Sequence, residues 1–280
     1  MAIGQGAKGE QMNRLPSYGE PPVSEVVFGV QFSPIEELLA AHIGLYWKRI
    51  RDRFPRAEEQ APIGHIVERF EEQERSKTRV ETRGTPPLPR TWLISEMGDR
   101  LLQVQRDRFL HNWREKRRDD VYPRYGSIKK TFLEAWDGFQ DFLIEENLPS
   151  PVVDQYELTY VNHIRQDKLW QTMGDLSSVF SCLSWAPRGS FLPAPEYVVW
   201  QMRFALPDNQ GRLRAEAIPA RLASDTESII RFSLTARGIS SSGTGPNALG
   251  SWYDLAHEWI VKGFSELVSE ETDEVWEREQ

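Results

Sequence analysis

The residues in this chain best suited to chemistry are cations rather than nucleophiles. Between Arg100 and Lys130 lie ten basic side chains, Arg100, Arg106, Arg108, Arg114, Lys116, Arg117, Arg118, Arg124, Lys129 and Lys130. They face four acids, Asp107, Glu115, Asp119 and Asp120, with Phe109, Trp113, Tyr122 and Tyr125 interleaved. Guanidinium groups among aromatic rings suit phosphate contact and base stacking. They equally suit a protein partner, since arginine and large aromatics dominate interface hot spots. The bland reading is a solvated hairpin whose charges keep sheet edges apart. Of the two recognition readings, a protein partner ranks above nucleic acid, because the chain carries a formal net charge of −8 and nucleic-acid-binding domains are mostly basic. The contact residues on either reading are Arg106, Arg108, Trp113, Arg114, Lys116, Arg117, Arg118 and Arg124. To these is added Trp276, a large apolar residue in the acidic tail Ser269–Gln280, which either folds back onto the core or anchors a partner.

A second cluster is small and polar. In a strand, Tyr160 and Asn162 share a face with Leu158 and Ile164. An amide on an apolar face must be hydrogen-bonded, within the protein or by a ligand. Tyr160, Asn162 and His163 are therefore candidate ligand contacts, and the residues around which an enzyme site between two halves of the chain would form. Other chemistry finds little support. The five histidines, His42, His65, His111, His163 and His257, stand in no metal-binding spacing, and no metal or cofactor is expected. The run Gly243–Ser251 sits where phosphate loops sit, but Ser251 replaces the required lysine and Pro246 removes an amide. It reads as a Ser/Gly loop capping a helix. Cys182, the one cysteine, reads as a small buried hydrophobe. No Ser–His–Asp arrangement or carboxylate pair stands out, so no catalytic residue is assigned.

The elements that must hold these residues follow from periodicity. With 39% hydrophobic and 11% aromatic residues in 280, the chain can bury a core. Residues 1–22 form a polar lead-in without the apolar stretch of a secretory signal. No apolar run reaches the roughly 20 residues of a membrane span. A lone cysteine fits the cytoplasm. Ser24–Phe32 reads as a strand, then a helix capped by Ser33 and boxed by Glu36 runs to about Phe54. Ala61–Val80 is ambiguous, and Thr85–Pro89 reads as a loop. Arg90–Met97 and Leu101–Trp113 read as two antiparallel strands about a Gly98-Asp99 turn. An amphipathic helix follows over Ile128–Leu143.

From residue 151 the pattern reads as a replay of the first half. Tyr156–Ile164 reads as a strand, Asp175–Leu183 as a short helix, and Tyr197–Leu206, Leu213–Leu222 and Ser228–Ala236 as strands. A closing helix carries Trp252, Leu255, Trp259, Phe264 and Leu267 on one stripe. The expectation is an α+β fold of two similar halves, 23–150 and 151–280, packed as one unit. Each half is an antiparallel sheet covered by a long aromatic-rich helix. Charge divides along nearly the same line. Residues 1–130 hold 23 Lys+Arg against 19 Asp+Glu, and residues 131–280 hold 11 against 23. Such asymmetry fits different surfaces on the two halves.

These residues resemble a family. The opening Pro-Pro with Ser24-Glu25-Val26-Val27, the tyrosine-led helix within Tyr122–Phe142, the strand Leu158–Ile164 and the closing stretch from Ala256-His257 to Trp276 are similar to a sporadically distributed bacterial family of unknown function and about this length. The likeness spans about Pro21 to Trp276. Such families commonly carry an arginine just before the Tyr-x-Asn of that strand; here Thr159 stands there, so the resemblance assigns no cation to it. Patchy inheritance implies a defence or toxin–antitoxin setting, by association only. The leading reading is thus a non-catalytic adaptor, antitoxin or regulatory subunit that binds another protein. Nucleic-acid binding through residues 100–130 comes second, and an enzyme with a site between the halves third.

Overall fold

A computed structural model describes residues 15–64, 67–68, 88–118, 120–222, 227–239 and 246–279. Most of the ambiguous 61–80 stretch, the 85–87 turn and the 243–245 glycines lie outside the described residues. Two strands of ten or more residues, β2 (Val23–Phe32) and β7 (Val153–Arg165), pair antiparallel. Their alternation decides the architecture. Val26, Phe28 and Val30 of β2 stand opposite Tyr160, Leu158 and Tyr156 of β7 on one face, and Glu25, Val27 and Gln31 stand opposite Val161, Thr159 and Gln155 on the other. One face is apolar and must be covered; the other is polar.

Outward from β2 run β6 (Arg108–Arg114), β5 (Arg100–Gln105), β4 (Arg90–Ile94) and β3 (Arg56–Gln60). Outward from β7 run β10 (Ser228–Gly238), β9 (Gly211–Arg221) and β8 (Trp200–Ala205). All pairings are antiparallel, so the two expected sheets are one nine-stranded sheet joined at its middle. The fold is mixed α and β, as expected. Helices α2 (Arg124–Glu145) and α3 (Pro246–Leu267) pack on the apolar face. Phe28 lies 5.2 Å from Phe132 of α2 and 5.0 Å from Tyr253 of α3, ring centre to ring centre. Each such buried ring contributes about 1.5–3 kcal/mol by leaving water. Tyr253 also donates its hydroxyl to the Gly29 carbonyl at 2.7 Å, tying the last long helix to the first long strand.

Several local expectations are corrected. The first helix, α1 (Ala40–Ile50), starts seven residues after Ser33. Ser33 Oγ donates instead to Asp154 Oδ1 at 3.2 Å, and the Ile35 amide donates to the Arg106 carbonyl. Pinning Ile35 and Leu38 into the core holds this segment as turns, and the His42 ring accepts from the Leu39 amide at the true helix start. The strand expected over Leu101–Trp113 breaks at Arg106-Asp107, where Asp107 accepts from Gln105 Nε2 at 2.7 Å and the chain reverses without a glycine. The short helix near Asp175 is a 3-10 turn over Met173–Ser178, capped by Thr172. The lead-in hides a strand: β1 (Ser17–Tyr18) pairs with β11 (Arg278–Glu279), which follows the short α4 (Glu271–Val275).

The turn between β8 and β9 anchors α3. The Gln210 carbonyl accepts from the Ile239 amide and from Trp252 Nε1. A Cβ at Gly238 would lie 1.9 Å from that oxygen, so only glycine fits. Gly238→Ala should cost more than about 2 kcal/mol, read as a lower urea midpoint; an unchanged midpoint would contradict this packing. His111, on the apolar face of β6, is fully buried with neither ring nitrogen hydrogen-bonded among the described residues. Burial, aided by Arg100 and Arg53, pushes its pKa down to about 3. The unfolded chain therefore binds a proton below about pH 6.5 that the folded chain refuses. Stability should fall as pH drops from about 6.5 toward 3, by up to about 1.4 kcal/mol per pH unit from this group. His111→Leu should flatten that slope in denaturant melts, and an unaltered slope would acquit the histidine.

Candidate functional site

The face of the sheet opposite the helices carries the polar chemistry. Starting at β4, Arg90 Nη1 and Trp92 Nε1 both donate to Gln103 Oε1, at 2.8 and 3.0 Å. Gln103 Nε2 donates to Asn112 Oδ1 at 2.8 Å, and Asn112 Nδ2 to Glu25 Oε1 at 2.6 Å. A chain of hydrogen bonds thus crosses β4, β5, β6 and β2. Beyond β7, Arg237 pairs with Glu157 at 2.5 Å and Arg214 with Glu216 at 2.6 Å, while Arg165 pairs with Glu227. Buried amides linked in series stiffen one arrangement.

One end of this face is closed by its own chain. Gln105 bonds both the amide and the carbonyl of Ile63, Arg108 Nη2 donates to the Gly64 carbonyl, and Arg212 pairs with Glu68. Among the described residues, the other end forms a groove with two adjoining hollows of about 330 and 320 Å³. Glu25, Val161 and Arg231 line both hollows. Arg114, Lys116, Arg117, Arg118, His163 and Arg165 line the outer one. Among the described residues, Lys116, Arg117, Arg118 and Arg231 make no ion pair. Ser233, in the inner hollow, has a buried hydroxyl with no hydrogen-bond partner among them.

The candidate residues scatter across both faces. Arg114, Lys116, Arg117 and Arg118 come together on the groove, where Arg231 and Arg165, remote in sequence, join them. Arg114 is partly committed, donating to the Gly98 carbonyl and standing over the Trp92 ring. Arg106 lies at the far turn, paired with Glu36 and donating to the Leu38 carbonyl. Three expected contacts are corrected by burial. Arg108 is 5% exposed and bonded to Gln31 and Gly64; Trp113 is 3% exposed and packs on Tyr122; Trp276 is 6% exposed between Tyr18 and Phe264. The acidic tail thus folds back on the core. Arg124 is exposed on the opposite side of the sheet, at the start of α2.

The Tyr160–Asn162–His163 trio divides by strand parity. Tyr160 and Asn162 face the helices, and Asn162 Nδ2 donates to the Phe232 carbonyl at 3.1 Å. His163 faces the groove, where burial, then the Arg165 and Arg231 charges, push its pKa down to about 4. It is neutral at pH 7. Cys182 is exposed rather than buried, and partial burial raises its pKa. Among the described residues, no group of three or more His, Cys, Asp or Glu is placed to hold a metal, and no helix is long and apolar enough to cross a membrane. Sequence reasoning missed Arg231 and Arg165 because single arginines on distant strands leave no local signal.

Asn112 sits at the midpoint of the cross-strand chain, so Asn112→Leu would strand both Gln103 Nε2 and Glu25. A loss of about 1–3 kcal/mol is expected in chemical denaturation, and full stability in the variant would show the network to be idle. No family model, curated protein or solved structure matches the chain.

Proposed function

We propose that the chain is a non-catalytic, cytoplasmic binding protein that recognises an acidic segment of another protein in the groove on its open sheet face. The observation that carries this reading is the set of four cations, Lys116, Arg117, Arg118 and Arg231, left without ion partners among the described residues while their neighbours are paired. A buried hydroxyl on Ser233 without a partner supports it further, since such a group in a hollow is satisfied when a ligand brings a partner. The Coulombic field of clustered cations favours an acidic segment and fixes its register.

Nucleic acid is the weaker alternative. Base stacking needs open aromatic faces, and the rings interleaved with the basic stretch, Phe109, Trp113, Tyr122 and Tyr125, pack against other rings of the apolar face. Trp92, the aromatic on the polar face, is flanked by Arg90 and Arg114. We also read the strand order as an internal duplication. Its support is that β2 and β7 are central neighbours and each is flanked outward by the last strand of the meander that follows it. A long aromatic-bearing helix then succeeds each meander.

The test is affinity capture with the full chain, beside a Lys116→Glu, Arg117→Glu, Arg118→Glu, Arg231→Glu variant. Arg114 is left alone because it supports the Gly98 turn. A stoichiometric protein partner should bind the parent chain at least about tenfold more tightly than the variant, and its affinity should fall with salt. Equal capture by both chains would refute the reading, as would an eluate whose absorbance is that of nucleic acid.

A further inference from the structure

On the other side of the sheet, a second hollow lies where α2 and α3 spread apart. We propose that it binds a small, mostly apolar monocarboxylic acid. This inference is independent of the groove, because the sheet separates the two.

The hollow measures about 290 Å³. Close-packed interiors leave few spaces larger than a water molecule, and this one falls at the small end of ligand sites. Its walls are apolar: Pro21, Val23, Leu234, Ile260, Val261 and Phe264. Residues 15–23 contribute a further wall, and β1 within them is held by the C-terminal tail, through Gly19 to the Glu277 carbonyl and Glu20 to that of Trp276.

The few polar groups converge, and their protons can be counted. Tyr122 donates its hydroxyl to Tyr160 at 3.1 Å. Tyr160 has one proton of its own, and its other neighbour is His257 Nδ1 at 3.1 Å. Burial pushes Tyr122 up to about 12 and His257 down to about 4, so all three are neutral at pH 7. Nδ1 accepts, which leaves the imidazole proton on Nε2, a donor without a hydrogen-bond partner among the described residues. The ring lies flat on Tyr125 at 3.8 Å, and Tyr125 is held in turn by its bond to Asp254.

Arg124 supplies the charge. One of its nitrogens donates to the Tyr18 carbonyl and its head stands over the Tyr122 ring, yet it has no ion pair among the described residues. The remaining guanidinium edge and His257 Nε2–H present donors to an acceptor-rich head. One cation beside three neutral groups matches one negative charge, which selects a carboxylate over a phosphate dianion. The Asn162 amide nitrogen is already given to the Phe232 carbonyl.

The test is calorimetric titration of the full chain with benzoate, phenylacetate and octanoate, and with benzyl alcohol and octanol as neutral counterparts. At least one acid should bind saturably with a dissociation constant below about 1 mM. Val261→Trp, which fills the hollow, should abolish that binding. Arg124→Gln should weaken the acid at least about tenfold while leaving the matching alcohol unchanged. Should Val261→Trp fail to fold by circular dichroism, the exposed Arg124 variant still decides. Absence of binding by every acid, undiminished binding in Val261→Trp, or equal effects of Arg124→Gln on acid and alcohol would each overturn the proposal.

Discussion

The pairing of β2 with β7 is the constraint on which the rest depends. It joins the two expected halves into one sheet, and its register assigns every neighbouring side chain to a face. A slip of β2 by one residue would carry Phe28 and Val30 to the other side of the sheet and Glu25 beneath the helices. The pairing is locked from both directions. Ser24 Oγ donates to the Val161 carbonyl at the bulge near the start of β2, and Tyr253 reaches from α3 to Gly29 in its middle. The two long helices thereby share one apolar face, and Asp254 clips them together through Tyr125 and Lys129.

A sheet with both helices on one side must keep its other side compatible with water. Here that side is not merely solvated. Gln31, Gln103, Arg108, Asn112 and Gln155 are all buried there, and an apolar substitute would forfeit their hydrogen bonds. A buried network costs desolvation that a plain surface would not. The network borders a groove in which cations from the β6–α2 loop and from β10 gather beside Glu25 and Glu115, with Lys116, Arg117, Arg118 and Arg231 in no ion pair among the described residues. That separation of paired from unpaired charge is what the proposed recognition of an acidic partner rests on.

Much of the fold was legible because it rests on periodicity. The alternation in β2, β7, β9 and β10 and the aromatic stripes of α2 and α3 are local patterns, and the elements lie within a few residues of their expected bounds. What was illegible rests on distant partners. Ser33 resembles a helix cap until Asp154 competes for its hydroxyl. Tyr18 sits in a polar lead-in and becomes core only when Phe264 and Trp276 arrive from the other end of the chain. The basic stretch was half legible. Its cations near 114–118 do gather on the groove, but period-two alternation sends Trp113 inward, and the 106–107 turn carries Arg106 away. Arg231 completes the cluster from β10, a relation that no linear motif records.

The central claim is that the partner lies on the open face. Site-specific photocrosslinking tests it most directly, with a benzophenone side chain placed at Leu222, which lines the outer hollow, or at Glu134, exposed on α2. With a captured partner present, a crosslinked heterodimer is expected from position 222 and none from position 134. A crosslink from 134 alone would place recognition on the helical side and contradict it.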